Sequence, residues 1–153
     1  MPRKARRKRL FRLEPVSSGG NLPSVIRTIT FDCADPHTLA SFWARVLDGG
    51  IHPDDVPGGD EASVIVPGGG PELLFLKVPE GKSVKNRVHL DLGPGERRRD
   101  AEVERLIGLG ATQVADLRRE GGGGFVVLAD PEGNEFCVEI SDAEIAERAA
   151  RQG

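Results

Sequence analysis

Arg27-Thr28-Ile29-Thr30-Phe31-Asp32-Cys33 is the stretch from which the rest of the chain is read. Apolar and polar side chains alternate through it. Ile29, Phe31 and Cys33 share one face and Thr28, Thr30 and Asp32 the other, the period-two signature of a half-buried strand. Asp35-Pro36 follows as an N-cap and first-turn pair. The helix it opens carries Leu39, Phe42, Trp43, Val46 and Leu47 on its apolar face, and Gly49-Gly50 stop it. Ile51-His52 is cut off by Pro53, so a strand there would be short. Residues 63–66 and 72–78 make better strands around the turn at 67–71.

The same order then recurs. Arg87-Val88-His89-Leu90-Asp91-Leu92 alternates with Val88, Leu90 and Leu92 on one face. A helix is expected over 96–109, ended by Gly110, then strands over 111–116, 125–129 and 134–140. A closing helix is expected from about residue 142. The halves superpose at an offset of about 60 residues, the mark of an internal repeat. The fold class is therefore α+β: two tandem βαβββ modules, about 23–79 and 85–141, each with a helix on the apolar face of its sheet. Residues 142–153 form a C-terminal helix. Trp43 and Cys33 read as core.

The opposite face of each sheet reads Thr28, Thr30, Asp32; Leu73, Phe75, Lys77; Arg87, His89, Asp91; and Glu135, Cys137, Glu139. Two readings stand: a sheet face washed by solvent, or a polar-lined cleft floored by Phe75 and Leu73. Two equivalent sheets in tandem favour the cleft.

The body resembles the vicinal oxygen chelate superfamily, the glyoxalase/bleomycin-resistance/dioxygenase group, and within it the glyoxalase-like domain proteins. The residues carrying this are Thr30-Phe31-Asp32-Cys33-Ala34-Asp35-Pro36, Ser41-Phe42-Trp43 with Val46-Leu47, Asn86 to Leu92, and Asp130-Pro131-Glu132-Gly133-Asn134-Glu135-Phe136-Cys137-Val138. The resemblance implies a U-shaped mixed sheet around a small-molecule cleft and, frequently, a homodimer. It also implies divalent-metal ligands on the first and last strand of each module, which map here to Thr28, Phe75, Arg87 and Cys137. Phe75 cannot ligate and Arg87 would repel a cation. No metal is expected at the family position, so neither glyoxalase I isomerase nor extradiol dioxygenase activity is expected. A displaced divalent site using His89, Asp32, Asp91 and Glu139 is left open.

Without a metal, His89 with Asp91 is the candidate catalytic pair, because imidazole exchanges protons near neutrality and a carboxylate two residues on would orient it. Thr30, Asp32, Phe75, Lys77, Arg87, Cys137 and Glu139 are the candidate ligand-binding residues, with Arg87 suited to clamp an anionic group. Cys137 reads as a small packed residue rather than a nucleophile. The glycine run 121–124 reads as a flexible loop over the cleft. Arg97-Arg98-Arg99 reads as the solvated start of the second helix.

Composition bounds the function. The chain has 153 residues, enough for one domain. No apolar run approaches the length of a membrane span, and with 5% aromatics and no Tyr a stacking platform for single-stranded nucleic acid is not expected. Two cysteines imply a reducing, cytoplasmic setting. Residues 1–24 hold seven basic residues and one acid, whereas the remainder holds 14 basic and 23 acidic residues. Residues 1–22 therefore read as a disordered basic tail on an acidic body. Three functions compete: a small-molecule-binding protein without the usual family metal, taking a polar ligand; a metal-independent lyase or isomerase using His89 and Asp91; and a nucleic-acid-associated protein acting through the tail. The acidic body makes nucleic acid the least expected partner.

Overall fold

The computed structural model describes residues 23–152. The basic segment read as a disordered tail lies outside the described residues. Module 1 comprises β1 (Thr28–Cys33), α1 (Pro36–Leu47), β2 (Gly50–Ile51), β3 (Glu61–Ile65) and β4 (Glu72–Lys77). Module 2 comprises β5 (Asp91–Leu92), α2 (Arg99–Gly108), β6 (Thr112–Asp116), a 3-10 turn (Glu120–Gly122), β7 (Val126–Ala129) and β8 (Glu135–Val138), and α3 (Asp142–Gln152) follows. The strands form two four-stranded mixed sheets, ordered β1-β4-β3-β2 and β5-β8-β7-β6. In each, the first strand runs parallel to the last and the other pairs are antiparallel. Among the described residues no helix is long and apolar enough to cross a membrane.

Local signals explain the elements. Asp35 accepts from the Thr38 backbone N–H at 3.2 Å and from its hydroxyl at 2.6 Å, which satisfies donors that the first helical turn leaves unpaired. Its carboxyl is held below the usual range, chiefly by these Thr38 bonds. The helix ends at Asp48 in the left-handed region (φ 53°). Gly49 then passes so close to β3 that a Cβ there would lie 2.6 Å from the Ile65 carbonyl oxygen. The helix stop thus depends on a close approach as much as on a turn.

A single core runs through both modules. Trp43 is fully buried and packs on Phe31, Phe42 and Phe136 at ring-centre distances of 5.8, 5.7 and 5.1 Å. Helix α1 of the first module thereby rests on β8 of the second. The C-terminal ends of α1 and α2 clasp each other: Arg105 donates to the carbonyls of Arg45 and Val46 at 3.1 and 2.9 Å. The same guanidinium is held by Glu102, which is itself buried.

Two expectations change. The strand expected over 87–92 forms only at Asp91–Leu92, and Val88 is 77% exposed. A parallel strand needs a partner along its length, and β8 begins only at Glu135. There the Glu135 carboxylate accepts the Asn86 N–H at 3.0 Å and pairs with Lys82 at 3.0 Å, so the incoming chain is tethered by a side chain instead of a ladder. The face assigned to β4 also reverses. Ile29 pairs with Leu73, Phe31 with Phe75 and Cys33 with Lys77, and opposed residues share a face. Leu73 and Phe75 therefore point to the helix. Phe75 has no exposed surface and stacks on Phe31 at 5.2 Å. The residues beside Thr30 and Asp32 on the outer face are Leu74 and Leu76.

Candidate functional site

The polar face of sheet β5-β8-β7-β6 brings together three of the expected residues. Cys137 opposes Asp91 in the β5–β8 ladder, and His89 sits two residues before Asp91. The His89 Nδ1 lies 3.4 Å from an Asp91 carboxylate oxygen and 4.0 Å from the Cys137 sulfur. His89 and Asp91 are exposed, while Cys137 is 5% exposed at the base of the cluster. Burial, with help from the neighbouring Asp91 carboxylate, pushes the Cys137 thiol up to about 11. At neutral pH it is a thiol, which argues against a nucleophilic role.

The geometry also argues against a Cys–His–Asp relay. A relay uses the two ring nitrogens for different partners, but here the carboxylate and the sulfur both approach Nδ1. The Nε2 side makes no hydrogen bond among the described residues. The arrangement suits an oriented imidazole that gives or takes a proton at Nε2.

The other expected residues are dispersed. Glu139 is exposed just beyond β8 and Arg87 is exposed in the tethered segment. Thr30 and Asp32 are exposed on the corresponding face of β1. Phe75 belongs to the core, and Lys77 is exposed at the end of β4 on the parity of the helix face. Neither lines the polar face. Of the acids expected there, Glu135 is already committed: its carboxyl is pulled down to about 2, first by the Asn86 backbone N–H and with help from Lys82. Cys33 is buried, and its thiol is pushed up to about 12 by burial and surrounding carboxylates.

The donor chemistry of a shared metal site can be tested on these faces. The ladders place Leu76 beside Asp32 as they place Cys137 beside Asp91. Leu76, not Phe75, is therefore the counterpart of Cys137, and it too has no donor atom. At that position the first module offers no ligand. Within module 2 alone, His89, Asp91 and Cys137 offer nitrogen, oxygen and sulfur atoms within 4.8 Å of one another, a mixed set that a borderline divalent ion such as zinc accepts. Asp32 and Glu139, expected in a displaced site, are not in that group.

The motif Asp130-Pro131-Glu132-Gly133-Asn134 has a structural task that its turn-like sequence conceals. The sequence profile of glyoxalase-like domains matches residues 28–139, a span that includes this motif and both modules. The chain belongs to the glyoxalase-like domain family. In this glyoxalase-like domain, buried Asp130 accepts the Trp43 Nε1–H at 3.1 Å, the Glu132 and Asn134 backbone N–H groups at 3.0 and 2.9 Å, and the Asn134 side-chain amide. Glu132 accepts the backbone N–H groups of Ala34 and Asp35 at 2.7 and 2.8 Å. One turn of module 2 thus fastens the strand-to-helix junction of module 1. The only sequence-level signal for this was an Asp and a Glu in a turn together with a lone Trp far upstream.

Solved structures agree on the fold. A glyoxalase/bleomycin resistance protein/dioxygenase family enzyme from Burkholderia phytofirmans PsJN is 17% identical, with a TM-score of 0.57 over 75% of this chain and 97% of that one. The fosfomycin resistance protein FosX from Mesorhizobium loti is also 17% identical, with a TM-score of 0.59 over 85% of this chain and 100% of that one. The oxidase ChaP-H2 is 22% identical, with a TM-score of 0.56 over 76% and 93% of the two chains. No curated protein sequence matches. These likenesses show the glyoxalase/bleomycin-resistance/dioxygenase fold.

Proposed function

We propose that this glyoxalase-like domain binds a small polar ligand on the open face of its second sheet, centred on His89, without the four-ligand metal that the family resemblance implies. The observation carrying this is the convergence of His89, Asp91 and Cys137, with the imidazole Nε2 making no hydrogen bond among the described residues. Arg87 and Glu139, exposed in the same module, are the further polar contacts in this reading. Ligands found by thermal-shift screening of polar metabolites are expected to bind at least tenfold more weakly to H89A and D91N. Binding unchanged in both variants would refute the placement.

The His89–Asp91 contact favours a second reading, a metal-independent lyase or isomerase with His89 moving the proton. It requires turnover of a bound ligand by the native chain and its loss in H89A with affinity retained. Metal content measured by mass spectrometry, in protein purified without added metal, is expected to be substoichiometric. A stoichiometric divalent ion that disappears in C137A would replace the metal-free reading with a three-residue metal site. We also propose a homodimer in the cytoplasm. Exposed Val25, Ile26 and Val88 and two free cysteines support this, and sedimentation velocity tests the assembly.

A further inference from the structure

A second feature lies on the helix side of module 2, away from the His89 face. Sequence alone reads Arg97-Arg98-Arg99 as solvated and the glycine run 121–124 as a lid over the cleft. Arg97 and Arg98 are exposed as read, but the structure departs from the reading at Arg99 and at the glycine run. Arg99 is 5% exposed, and its Nη1 donates to the carbonyls of Gly123 and Gly124 at 3.2 and 2.9 Å. The glycine run is drawn against α2 and α3, where it walls a pocket of about 390 Å³.

The charges of that pocket do not balance. Arg98, Arg99, Arg148 and Arg151 line it with Glu144 and Glu147. Both carboxylates are already engaged. Glu147 takes two 3.0 Å bonds from Arg98 and lies 3.8 Å from Arg151. Glu144 accepts the backbone N–H groups of Arg99 and Ser141 at 2.9 and 3.0 Å, and the Ser141 hydroxyl. Arg148 has no carboxylate partner among the described residues, and Arg99 has only an ion pair with Asp100 outside the pocket lining. The Nε of each is buried and makes no hydrogen bond among the described residues; the nearest carboxylate to the Arg99 Nε is Asp100, at 3.6 Å.

Burying a guanidinium N–H without an acceptor is costly, so two such donors at one pocket imply an acceptor that completes them. The acceptor must be anionic, because the chain around it supplies net positive charge in an otherwise acidic body. The glycines contribute access: a Cβ at Gly123 would sit 3.2 Å from the Arg148 Nη1, and Gly121 and Gly122 hold φ values of 78° and 89° that other residues rarely adopt. A pocket of this volume is in the range of small-molecule sites, roughly 300–1,000 Å³, and is larger than a lone phosphate requires.

We propose that the pocket between α2, the Glu120–Gly122 turn and α3 binds the phosphate of a small phosphorylated, hydroxyl-bearing metabolite, with Arg99 and Arg148 donating to it. Guanidinium forks match phosphate oxygens in geometry and charge, and the Glu144 Oε1, which takes no hydrogen bond among the described residues, offers an acceptor to a hydroxyl.

The test is an amide-shift NMR titration of the full chain with glucose 6-phosphate, inorganic phosphate, glucose and malonate. Glucose 6-phosphate is expected to shift the amides of 120–124 and 144–151 saturably, inorganic phosphate to do so more weakly, and glucose not at all. R148A is expected to weaken glucose 6-phosphate binding at least tenfold and R148K to weaken it less, while H89A leaves it unchanged. Because α3 has no buried residues, R148A is expected to keep the fold, which far-UV circular dichroism checks. No saturable shift for either phosphate, binding undiminished in R148A, or malonate binding as tightly as glucose 6-phosphate would each overturn the proposal.

Discussion

Asp130 joins the two modules through a buried carboxylate. Its carboxylate is buried and fully used, by Trp43, Glu132 and Asn134. Asp130→Ala strips partners from several buried donors at once, and roughly 3 kcal/mol of stability should be lost, measured by urea unfolding. Trp43→Phe removes one donor and part of a tightly packed ring, and about 2 kcal/mol is expected from the same measurement. Glu135 supplies the pH-sensitive contact. Its carboxyl is held at about 2 in the folded chain against an ordinary 4.5. A depressed folded pKa means that this contribution is complete above pH 4.5 and fades as pH falls toward 2. Glu135→Gln should therefore flatten the loss of thermal stability between those two pH values. A decline as steep as the parent's would show that the Asn86 and Lys82 contacts add nothing.

At the scale of elements, the first helix was legible because its signals are local. The Asp35-Pro36 pair and the spacing of Leu39, Phe42, Trp43 and Val46 need no tertiary information, and all four apolar residues are buried as expected. Asp35→Ala should cost about 1 kcal/mol through the lost cap. Gly49→Ala should cost roughly 1–3 kcal/mol, because the added methyl meets the Ile65 carbonyl oxygen of β3 and the strand must shift. β4 was half legible. Its sequence, Glu72-Leu73-Leu74-Phe75-Leu76-Lys77, is apolar on both parities, so alternation identifies a strand without saying which side faces the helix. Only the pairing with β1 resolves it, and that moved Phe75 and Lys77 off the candidate face. The strand over 87–92 failed for the converse reason: its alternation is clean, but β8 is too short to pair with its first half.

At the scale of the whole molecule, the tandem modules share one core and one clamp. Phe136 of the second module packs on Phe42 and Trp43 of the first, and the α1 and α2 ends exchange backbone contacts through Arg105 and Arg45. The chain should therefore unfold as one unit. Near-ultraviolet circular dichroism, dominated by Trp43, and far-ultraviolet circular dichroism are expected to give coincident thermal transitions. Two separated transitions would mean that the modules are independent.

What the sequence by itself determined is what depends on short-range periodicity and repetition: an α+β chain, two βαβββ modules, a helix on each apolar face, and His89, Asp91 and Cys137 on one side of the second sheet. The tertiary structure decided what depends on partners distant in sequence. It chose the face of β4, since both faces could be buried. It buried Arg99, since an arginine in a basic run looks solvated until α3 and the glycine turn close over it. It made an ordinary-looking Asp-Pro-Glu-Gly turn the clamp between modules, since the meaning of a carboxylate lies in the donors brought to it, and these arrive from residues 34, 35 and 43, about a hundred positions away.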